Sequence, residues 1–257
     1  MGVDSLTRAQ LGIRNIRLIM AYDGSRYHGW QRQSNAATIQ EVVERKIQVM
    51  IGEPVKLIAS GRTDAGVHAL NQVCNFTMRS DISLEKIKKG LNSLLPEDIF
   101  IRAADYVPLE FHARYSVKSK VYEYRVLNQE DRDIFLRNYL WHVRSPLDSR
   151  VMAKCLSLLV GRKDFSSFRS SGSGNMDPVR LVMRAELHGP EDGLLRFVIE
   201  ADGFLRHMVR NIVGSVVEAG LGRISFVGFE EILESRDRRA VGAKAPAQGL
   251  FLIGVKY

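Results

Sequence analysis

Residues 61–68 combine residue types at a spacing that could support catalysis. Gly61 and Gly66 allow a short loop to take a tight or left-handed conformation. Between them, Arg62 and Asp64 lie two residues apart, and a nearby guanidinium favours the ionised form of a carboxyl group. Such a carboxylate can act as a nucleophile or as a base. The alternative interpretation is an ordinary Asx-turn, in which Asp64 only caps its own loop.

Sequence motifs for metal, nucleotide or serine-triad chemistry are missing. The six histidines show no HExxH pattern and no close spacing to a cysteine. Cys74 and Cys155 lie far apart in apolar segments, which indicates two core residues and neither a disulfide framework nor a zinc quartet. There is no GxSxG motif and no P-loop. The sequence therefore gives little support to chemistry that depends on a serine triad, a bound nucleotide or a metal such as zinc.

The composition is that of a folded protein with a basic surface. The 257 residues suffice for one large domain or two ordinary ones, and 45% are hydrophobic. The formal net charge of +8 is divided between residues 1–115 (15 basic, 12 acidic) and 116–257 (22 basic, 17 acidic). A positive charge spread in this way suits a polyanionic partner, above all a nucleic acid. The longest uncharged stretch, 65–78, contains polar side chains, so we expect no membrane span. Arg14 and Arg17 interrupt the apolar residues of 11–22, so there is no signal-peptide pattern, and with only two distant cysteines we expect a cytoplasmic protein.

Hydrophobic periodicity predicts the same order of elements twice, β-α-β-β-α-β. In both halves, strands alternate with helices that carry one apolar face. We predict an α+β fold, in which two ferredoxin-like halves join in a central, mainly antiparallel sheet with a basic cleft between them. The expected domains are residues 13–115 and 116–257, after a loose extension over residues 1–12. The predicted elements are strands 14–22, 55–60, 70–78 and 99–107 with helices 38–51 and 83–95, then strands 120–127, 181–188, 194–201 and 250–255 with helices 151–160, 205–217 and 229–233.

A capping box of Thr38 and Glu41 is expected to start the first helix, and Gly52 to end it. Two further loops are longer than connections usually are. In residues 23–37, Trp30 lies among arginines and amides, where it could stack on bases or, alternatively, anchor the loop to the core. Residues 162–180 carry several basic side chains around a Gly/Ser stretch, which is typical of a flexible basic flap.

Six blocks of the sequence form a further ordered pattern. They are AYDGSRYHGWQRQ (21–33), SGRTDAGVHA (60–69), FHARYSVKSKVYEYR (111–125), DFSSF (164–168), DGFLRHMVRNIVG (202–214) and APAQGLFLIGV (245–255). In this order, the blocks resemble the TruA family of tRNA pseudouridine synthases. The resemblance spans nearly the whole chain from residue 14 onward.

This resemblance implies that uridine is isomerised to pseudouridine on the 3′ side of the anticodon stem-loop of tRNA, by a cofactor-free homodimer. It implies that Asp64 is the essential carboxylate and that Arg210 pairs with it. It also implies that Tyr122 stacks on the target uracil, with a possible part in removing the C5 proton, while Leu250 presses on the opposite face. The candidates for RNA contact are Arg26, Arg32, Arg62, Lys118, Lys120, Arg169 and Arg206.

Several alternatives stay open at this point. Arg210 could be an ordinary solvated helix arginine. Asp64 could attack C1′ of the ribose or remove the C2′ proton. From other functional classes, the chain could be a non-catalytic RNA-binding module or a nucleoside hydrolase that uses Asp64 in water attack.

Overall fold

A computed structural model describes residues 12–172 and 177–257. The chain divides into two compact units. The first contains the described residues up to Lys118 together with Ile253–Tyr257, and the second contains Ser119–Leu252. Residues 1–11 of the predicted extension, and residues 173–176 of the predicted flap, lie outside the described residues.

The first unit has the predicted order β-α-β-β-α-β. Its central strand, β1, pairs antiparallel with β3 on one side and with β4 on the other, so Leu18 lies opposite both Cys74 and Ala104. The inward positions of β1 are fully buried, as the alternating pattern predicts. The elements are β1 (Arg14–Tyr22), α1 (Ile39–Ile51), β2 (Ile58–Ala59), β3 (His68–Met78), α2 (Leu84–Leu94) and β4 (Ile99–Val107).

The strand predicted over residues 55–60 is reduced to the two residues of β2. The cause lies in α1, whose side chains take over the backbone of Leu57. Glu44 accepts a hydrogen bond from the Leu57 N–H (2.8 Å), and Gln40 donates to the Leu57 carbonyl (3.3 Å). The N–H and carbonyl groups of Leu57 therefore form hydrogen bonds with side chains of α1 and not with a neighbouring strand.

The ends of α1 confirm one prediction and contradict another. Gly52 takes the left-handed conformation (φ +78°) and donates its N–H to the Gln48 carbonyl, as a glycine C-cap does. The capping box is wrong, because the Thr38 side chain accepts no capping hydrogen bond. Instead, the Thr38 hydroxyl is buried without a hydrogen-bond partner among residues 12–172 and 177–257.

The second unit is built on three long antiparallel strands. The central one, β9, pairs with β5 and β8, and the short strand β7 extends the sheet beyond β8. The short strand β6 runs parallel to β5. The elements are β5 (Ser119–Asn128), β6 (Trp141–Val143), α3 (Ser149–Ser157), β7 (Gly161–Asp164), β8 (Val179–Glu191), β9 (Leu194–Ala201), α4 (Met208–Gly220), α5 (Phe226–Ser235) and β10 (Leu250–Lys256).

The flap predicted over residues 162–180 is wrong for its first part. Residues Gly161–Asp164 form β7, and a 3₁₀ turn follows at Ser166–Phe168. Phe165 and Phe168 are fully buried, which ties this stretch to the core of the second unit. The buried pair explains why a segment rich in basic residues is ordered here.

Helix α4 begins at Met208, three residues later than predicted. His207 precedes it in the left-handed conformation (φ +60°). The helix is buried on nearly all sides, including the polar residues Arg210, Asn211 and Ser215, although an apolar stripe alone was expected. Asn211 is satisfied by the Phe168 carbonyl, to which its amide donates (2.7 Å).

The α+β class with mainly antiparallel strands is confirmed, whereas the basic cleft between the halves stays a prediction. The last strand, β10, starts in the second unit, and its residues from Ile253 onward belong to the first. There, Asn71 donates to the Ile253 carbonyl (2.8 Å), and the Lys118 N–H donates to the Lys256 carbonyl (2.8 Å). None of the described helices is long and apolar enough to cross a membrane.

The buried hydroxyl of Thr38 generates a stability prediction. We expect Thr38→Val to raise the free energy of unfolding by about 1 kcal/mol, because the change removes an unsatisfied buried polar group at nearly constant volume. Urea-induced unfolding measures the effect. As a contrast, Ser83 caps α2 by accepting from the Lys86 N–H, so Ser83→Ala should lower stability by about 1 kcal/mol. A valine variant that loses stability as the Ser83 variant does would contradict this assignment.

Candidate functional site

Asp64 lies in a tight turn between β2 and β3. The Val67 N–H donates to the Asp64 carbonyl (3.2 Å), and Gly66 has φ +76°, which a residue with a side chain rarely adopts. The turn therefore closes through its own main chain. The Asp64 side chain is half-buried.

The loop over residues 23–37 lies directly against this turn. The Trp30 N–H donates to the Thr63 carbonyl (3.0 Å), and the Gly66 N–H donates to the Tyr27 carbonyl (3.3 Å). A Cβ atom at Gly29 would lie 2.6 Å from the Thr63 carbonyl oxygen, which is closer than real contacts allow. Two backbones thus meet at a distance that a side chain at this position would prevent.

A second glycine repeats this close approach at the other end of the turn. A Cβ atom at Gly24 would lie 2.0 Å from the Val67 carbonyl oxygen. The Gly24 N–H donates to Nδ1 of the buried His68 (3.1 Å). The backbone on both sides of Asp64 is therefore held by the same loop.

A buried polar network supports the turn from the sheet side. The fully buried Gln72 donates from Nε2 to the Gly61 carbonyl (2.9 Å), and its Oε1 accepts from the Ser60 hydroxyl (2.7 Å). The Tyr22 hydroxyl lies 2.8 Å from Thr63 Oγ1. Burial raises the pKa of the Tyr22 phenol, and the hydrogen bonds from Thr63 and Gln72 offset this only in part, so Tyr22 stays neutral.

Sequence reasoning missed Tyr22 and Gln72 as parts of the site. A signal was present, because Gln72 occupies an inward position in a strand whose neighbours Val73, Cys74 and Phe76 are buried and apolar. A buried amide needs hydrogen-bond partners. Here those partners are the main chain and side chains that carry Asp64.

The two aromatic residues of loop 23–37 belong to the core. Trp30 is only 2% exposed and Tyr27 is 8% exposed. Trp30 packs against the Tyr22 ring (6.2 Å between centroids), and the Tyr27 hydroxyl donates to Asp98 (2.5 Å). Stacking of Trp30 on bases is therefore wrong, and its alternative role as an anchor of the loop is correct.

The predicted RNA contacts of the first unit lie on its surface. Arg26 is 3.6 Å from the Asp98 carboxylate, and Arg32 is 3.9 Å from that of Glu44. Arg62 is exposed and has no hydrogen bond or ion pair with any residue in the described ranges. Lys118 is exposed as well.

In the second unit, Tyr122 lies on β5 opposite Ile199 of β9. Its side chain is largely buried, and the Phe204 ring meets it edge-on, with 5.0 Å between centroids and an interplanar angle of 86°. This contact fixes the orientation of the Tyr122 ring. Tyr124 follows on the same face of the strand, because side chains alternate.

Arg210 lies in the first turn of α4 and is only 9% exposed. Its Nε donates to the Ala245 carbonyl (2.9 Å), while the Ala245 N–H donates back to the Arg210 carbonyl (3.1 Å). A Cβ atom at Gly214 would lie 2.2 Å from the Ala243 carbonyl oxygen, so α4 and this segment are in close contact. The interpretation of Arg210 as a solvated arginine is therefore wrong.

The segment after Ala245 leads to Leu250 and contacts the same strand. The Tyr124 hydroxyl donates to the Pro246 carbonyl (2.7 Å), and a Cβ atom at Gly249 would lie 2.7 Å from the Tyr124 ring. Burial raises the pKa of the Tyr124 phenol, although the charge of Arg210 lowers it. Leu250 is buried at the start of β10. Tyr124 is thus close to the segment that leads to Leu250 and is affected by the charge of Arg210.

The other cations predicted in the second unit have structural contacts of their own. The exposed Arg206 donates to the Ser171 carbonyl (2.6 Å). The pKa of the Asp164 carboxyl is lowered: burial opposes the change, but hydrogen bonds from Ser166 and the charges of Arg236 and Arg169 outweigh it. Lys120 is half-buried on β5.

Asp64 belongs to the first unit, whereas Tyr122, Arg210 and Leu250 belong to the second. The proximity of Asp64 to these three residues stays a prediction. The described residues contain no group of three or more His, Cys, Asp or Glu side chains that could hold a metal ion.

Comparison with known proteins gives consistent matches. A family model described as tRNA pseudouridine synthase matches residues 18–116 and 156–257. A tRNA pseudouridine synthase A from Acetivibrio thermocellus is 45% identical over 245 residues, which cover 95% of this chain and 100% of that protein. The proteins of the same name from Thermoanaerobacter pseudethanolicus (46% identical, the same coverage) and Caldicellulosiruptor saccharolyticus (44% identical, the same coverage) are also similar.

The close approach of Gly29 to the Asp64 turn can be tested by substitution. We expect Gly29→Ala to lower the free energy of unfolding by about 2–5 kcal/mol, because it adds a left-handed alanine and a clash with the Thr63 backbone. Gly52→Ala is the matched control, since Gly52 also has a positive φ but nothing lies within 4 Å of its added Cβ. The control should lose only about 1–2 kcal/mol. Equal losses in urea unfolding would contradict a tight contact at Gly29.

Proposed function

The chain belongs to the tRNA pseudouridine synthase family, an isomerase family, and from this membership we propose that it isomerises uridine on the 3′ side of the anticodon stem-loop of tRNA. The observation that supports this most is the turn of Asp64, which is held by backbone contacts and a buried amide network. Catalysis requires a reacting group that is positioned before the substrate arrives. A half-buried carboxylate on a turn fixed in this way meets that requirement.

The reaction breaks the N1–C1′ bond of uridine, turns the freed uracil and joins its C5 to C1′. The proton on C5 leaves and N1 gains one, so no atoms are added and no electrons are exchanged with a partner. The chemistry needs a carboxylate that initiates glycosidic cleavage, a base for the C5 proton and a pocket that retains the uracil. We assign the first role to Asp64, whose carboxylate either attacks C1′ or removes the proton from C2′.

We assign contact with the target base to Tyr122 and Leu250. The Tyr122 ring, oriented by Phe204, offers an aromatic face on which an extruded uracil can stack. Leu250 contacts the opposite face of the base. Tyr122 also assists removal of the C5 proton.

Arg210 is assigned to pairing with the Asp64 carboxylate. A guanidinium that is nine-tenths buried needs an anionic or hydrogen-bonding partner for each of its donors. The Ala245 carbonyl satisfies Nε and fixes the direction of the group. An ion pair with Asp64 stabilises the ionised carboxylate that the reaction requires.

The basic surface supports binding of tRNA. Extruding a base from a stacked helix costs a few kcal/mol, and the cost is lowest in loops and at helix ends. Contacts of cationic side chains with phosphates offset that cost. We infer that tRNA binds as the anticodon arm, to a homodimer in the cytoplasm. The residues assigned to RNA contact are Arg26, Arg32, Arg62, Lys118, Lys120, Arg169 and Arg206.

The charge of Asp64 gives the first test. We expect Asp64→Asn to lower turnover by about 10²- to 10⁴-fold, because the amide keeps the shape of the carboxylate and removes its charge. The affinity for tRNA should stay near that of the wild type. Tritium release from undermodified tRNA labelled at uridine C5 measures turnover, and filter binding measures affinity. Asp81→Asn, a change of the same type at an exposed position, is the control. Turnover of the Asp64 variant near the wild-type level would disprove the catalytic role.

The same assay separates isomerisation from its alternatives. Release of tritium without free uracil and without a change in RNA mass indicates the isomerase. Free uracil would identify a hydrolase, and binding without either product would identify an RNA-binding module.

Arg210 gives the second test. Arg210→Ala should lower kcat more than it weakens tRNA binding, because the lost partner is the catalytic carboxylate and not a phosphate. Arg206→Ala removes an equal charge from an exposed position and should mainly weaken binding. Urea unfolding of both variants accounts for any loss of folding. An Arg210 variant that changes only affinity would reassign this residue to phosphate contact.

A further inference from the structure

A cavity of about 510 Å³ opens in the second unit, and none of the residues assigned to catalysis lines it. Its volume lies within the range of about 300–1,000 Å³ that is usual for small-ligand sites. The lining falls in the part of the chain that the family model leaves unmatched, apart from Gln248. The residues that carry the argument are Arg132, Asp133, Arg137, Trp141, His142 and Gln248.

The cavity presents positive charge. Arg132 has no hydrogen bond or ion pair with any of the described residues, and Arg137 donates to the Ile134 carbonyl. The acidic residue in the lining, Asp133, is already engaged, because its carboxylate accepts from the Phe135 N–H (2.7 Å) and the Leu136 N–H (2.9 Å). The lining thus carries two guanidinium groups against one carboxylate, which gives it a net positive charge.

Next to the lining residue Ile134, the chain exposes further apolar surface at Phe135 and Leu136, which do not themselves line the cavity. Ile134, Phe135 and Leu136 are 54%, 82% and 47% exposed, respectively. The Asp133 carboxylate accepts hydrogen bonds from the backbone N–H groups of Phe135 and Leu136, so the main chain that carries the exposed Phe135 ring is ordered. Exposed runs of large apolar residues in folded proteins usually mark binding surfaces.

The cavity adjoins the residues to which we assign the target base. Trp141 pairs with Val126 of β5 and meets the Tyr124 ring edge-on (6.4 Å, 89°). Gln248 lies in the 3₁₀ turn Ala247–Gly249, immediately before Leu250. One wall is thus continuous with β5 and another with the segment that carries Leu250.

We propose that this cavity binds a nucleotide of the tRNA that flanks the target uridine. Arg132 and Arg137 contact its phosphate, and Phe135 and Trp141 provide apolar surface for its base. The His142 ring donates from Nε2 to the Gln129 carbonyl (2.8 Å), which leaves Nδ1 for a donor on the base. The proposal rests on the proposed function, since it takes tRNA as the substrate.

Charge favours RNA over a second copy of the chain as the occupant. In a two-fold symmetric contact, this patch would meet itself, and the guanidinium groups of Arg132 and Arg137 would face their own copies. Like charges brought together in this way oppose association. A phosphodiester backbone complements the same patch.

The test compares variants of the full-length protein in binding an unmodified tRNA transcript. Arg132→Ala should weaken binding about tenfold and reduce the slope of log affinity against log salt by about 0.7, because one phosphate contact is lost. Phe135→Ala should weaken binding by about 5- to 100-fold with little change in slope, because a stacking contact is lost. Arg150→Ala is the control, since Arg150 is exposed in the same unit but does not line the cavity, and it should bind as the wild type does.

A photo-crosslink locates the nucleotide. Benzoylphenylalanine introduced in place of Phe135 should react with tRNA next to the uridine that the enzyme modifies. Crosslinks confined to distant parts of the tRNA would overturn the proposal.

Two further results would also overturn it. In one, the Arg132 and Phe135 variants bind tRNA as the wild type does. In the other, Phe135→Ala converts a dimer to monomers in sedimentation while binding per active site is unchanged, which would assign the surface to a second copy. Tritium release by the wild-type protein separates failure of the cavity proposal from failure of the proposed function. If the wild type turns over and the variants bind tRNA normally, only the cavity proposal is refuted. If the wild type does not turn over, the proposed function is refuted.

Discussion

The contact between the Asp64 turn and the loop over residues 23–37 is the constraint on which the proposed site depends. At Gly24 and Gly29 the two main chains approach too closely for any side chain to intervene. The main chain that carries Asp64 is therefore positioned largely by other peptide groups, which have few alternative conformations. Gln72 completes the support by satisfying the Gly61 carbonyl within the core. A reacting group held in this way loses little entropy when the substrate binds.

In the second unit, the guanidinium group of Arg210 is buried in a largely apolar region. Arg210 is buried in a helix that is apolar around most of its surface, and its orientation follows from a reciprocal pair of hydrogen bonds with Ala245. The neighbouring Tyr124 stays protonated and donates to Pro246, so it adds no competing negative charge. Burying a guanidinium costs free energy, and the hydrogen bond to Ala245 offsets part of this cost. In the proposed site, the result is a positive charge with a fixed direction.

The sequence was sufficient for features that local chemistry determines. Alternation predicted the bounds of β1, and Gly52 ended α1 as expected, because both signals act within a few residues. Predictions failed where residues distant in the sequence determine the structure. The Leu57 N–H donates to Glu44 and not to a strand, and burial of Phe165 holds part of the predicted flap against the core. The Asp64 turn was found from its glycines and charges, whereas its buried support was not, since polar pairing across a core requires the tertiary arrangement.

The division of β10 between the two units has a consequence for biosynthesis. Ile253–Tyr257 belong to the first unit, where the Tyr257 hydroxyl donates to the Ala113 carbonyl and the Lys256 carbonyl accepts from Lys118. A ribosome makes these residues only after the whole of Ser119–Leu252, long after the rest of the first unit has emerged. The first unit, which carries Asp64, therefore acquires these two hydrogen bonds only once residue 257 has been translated.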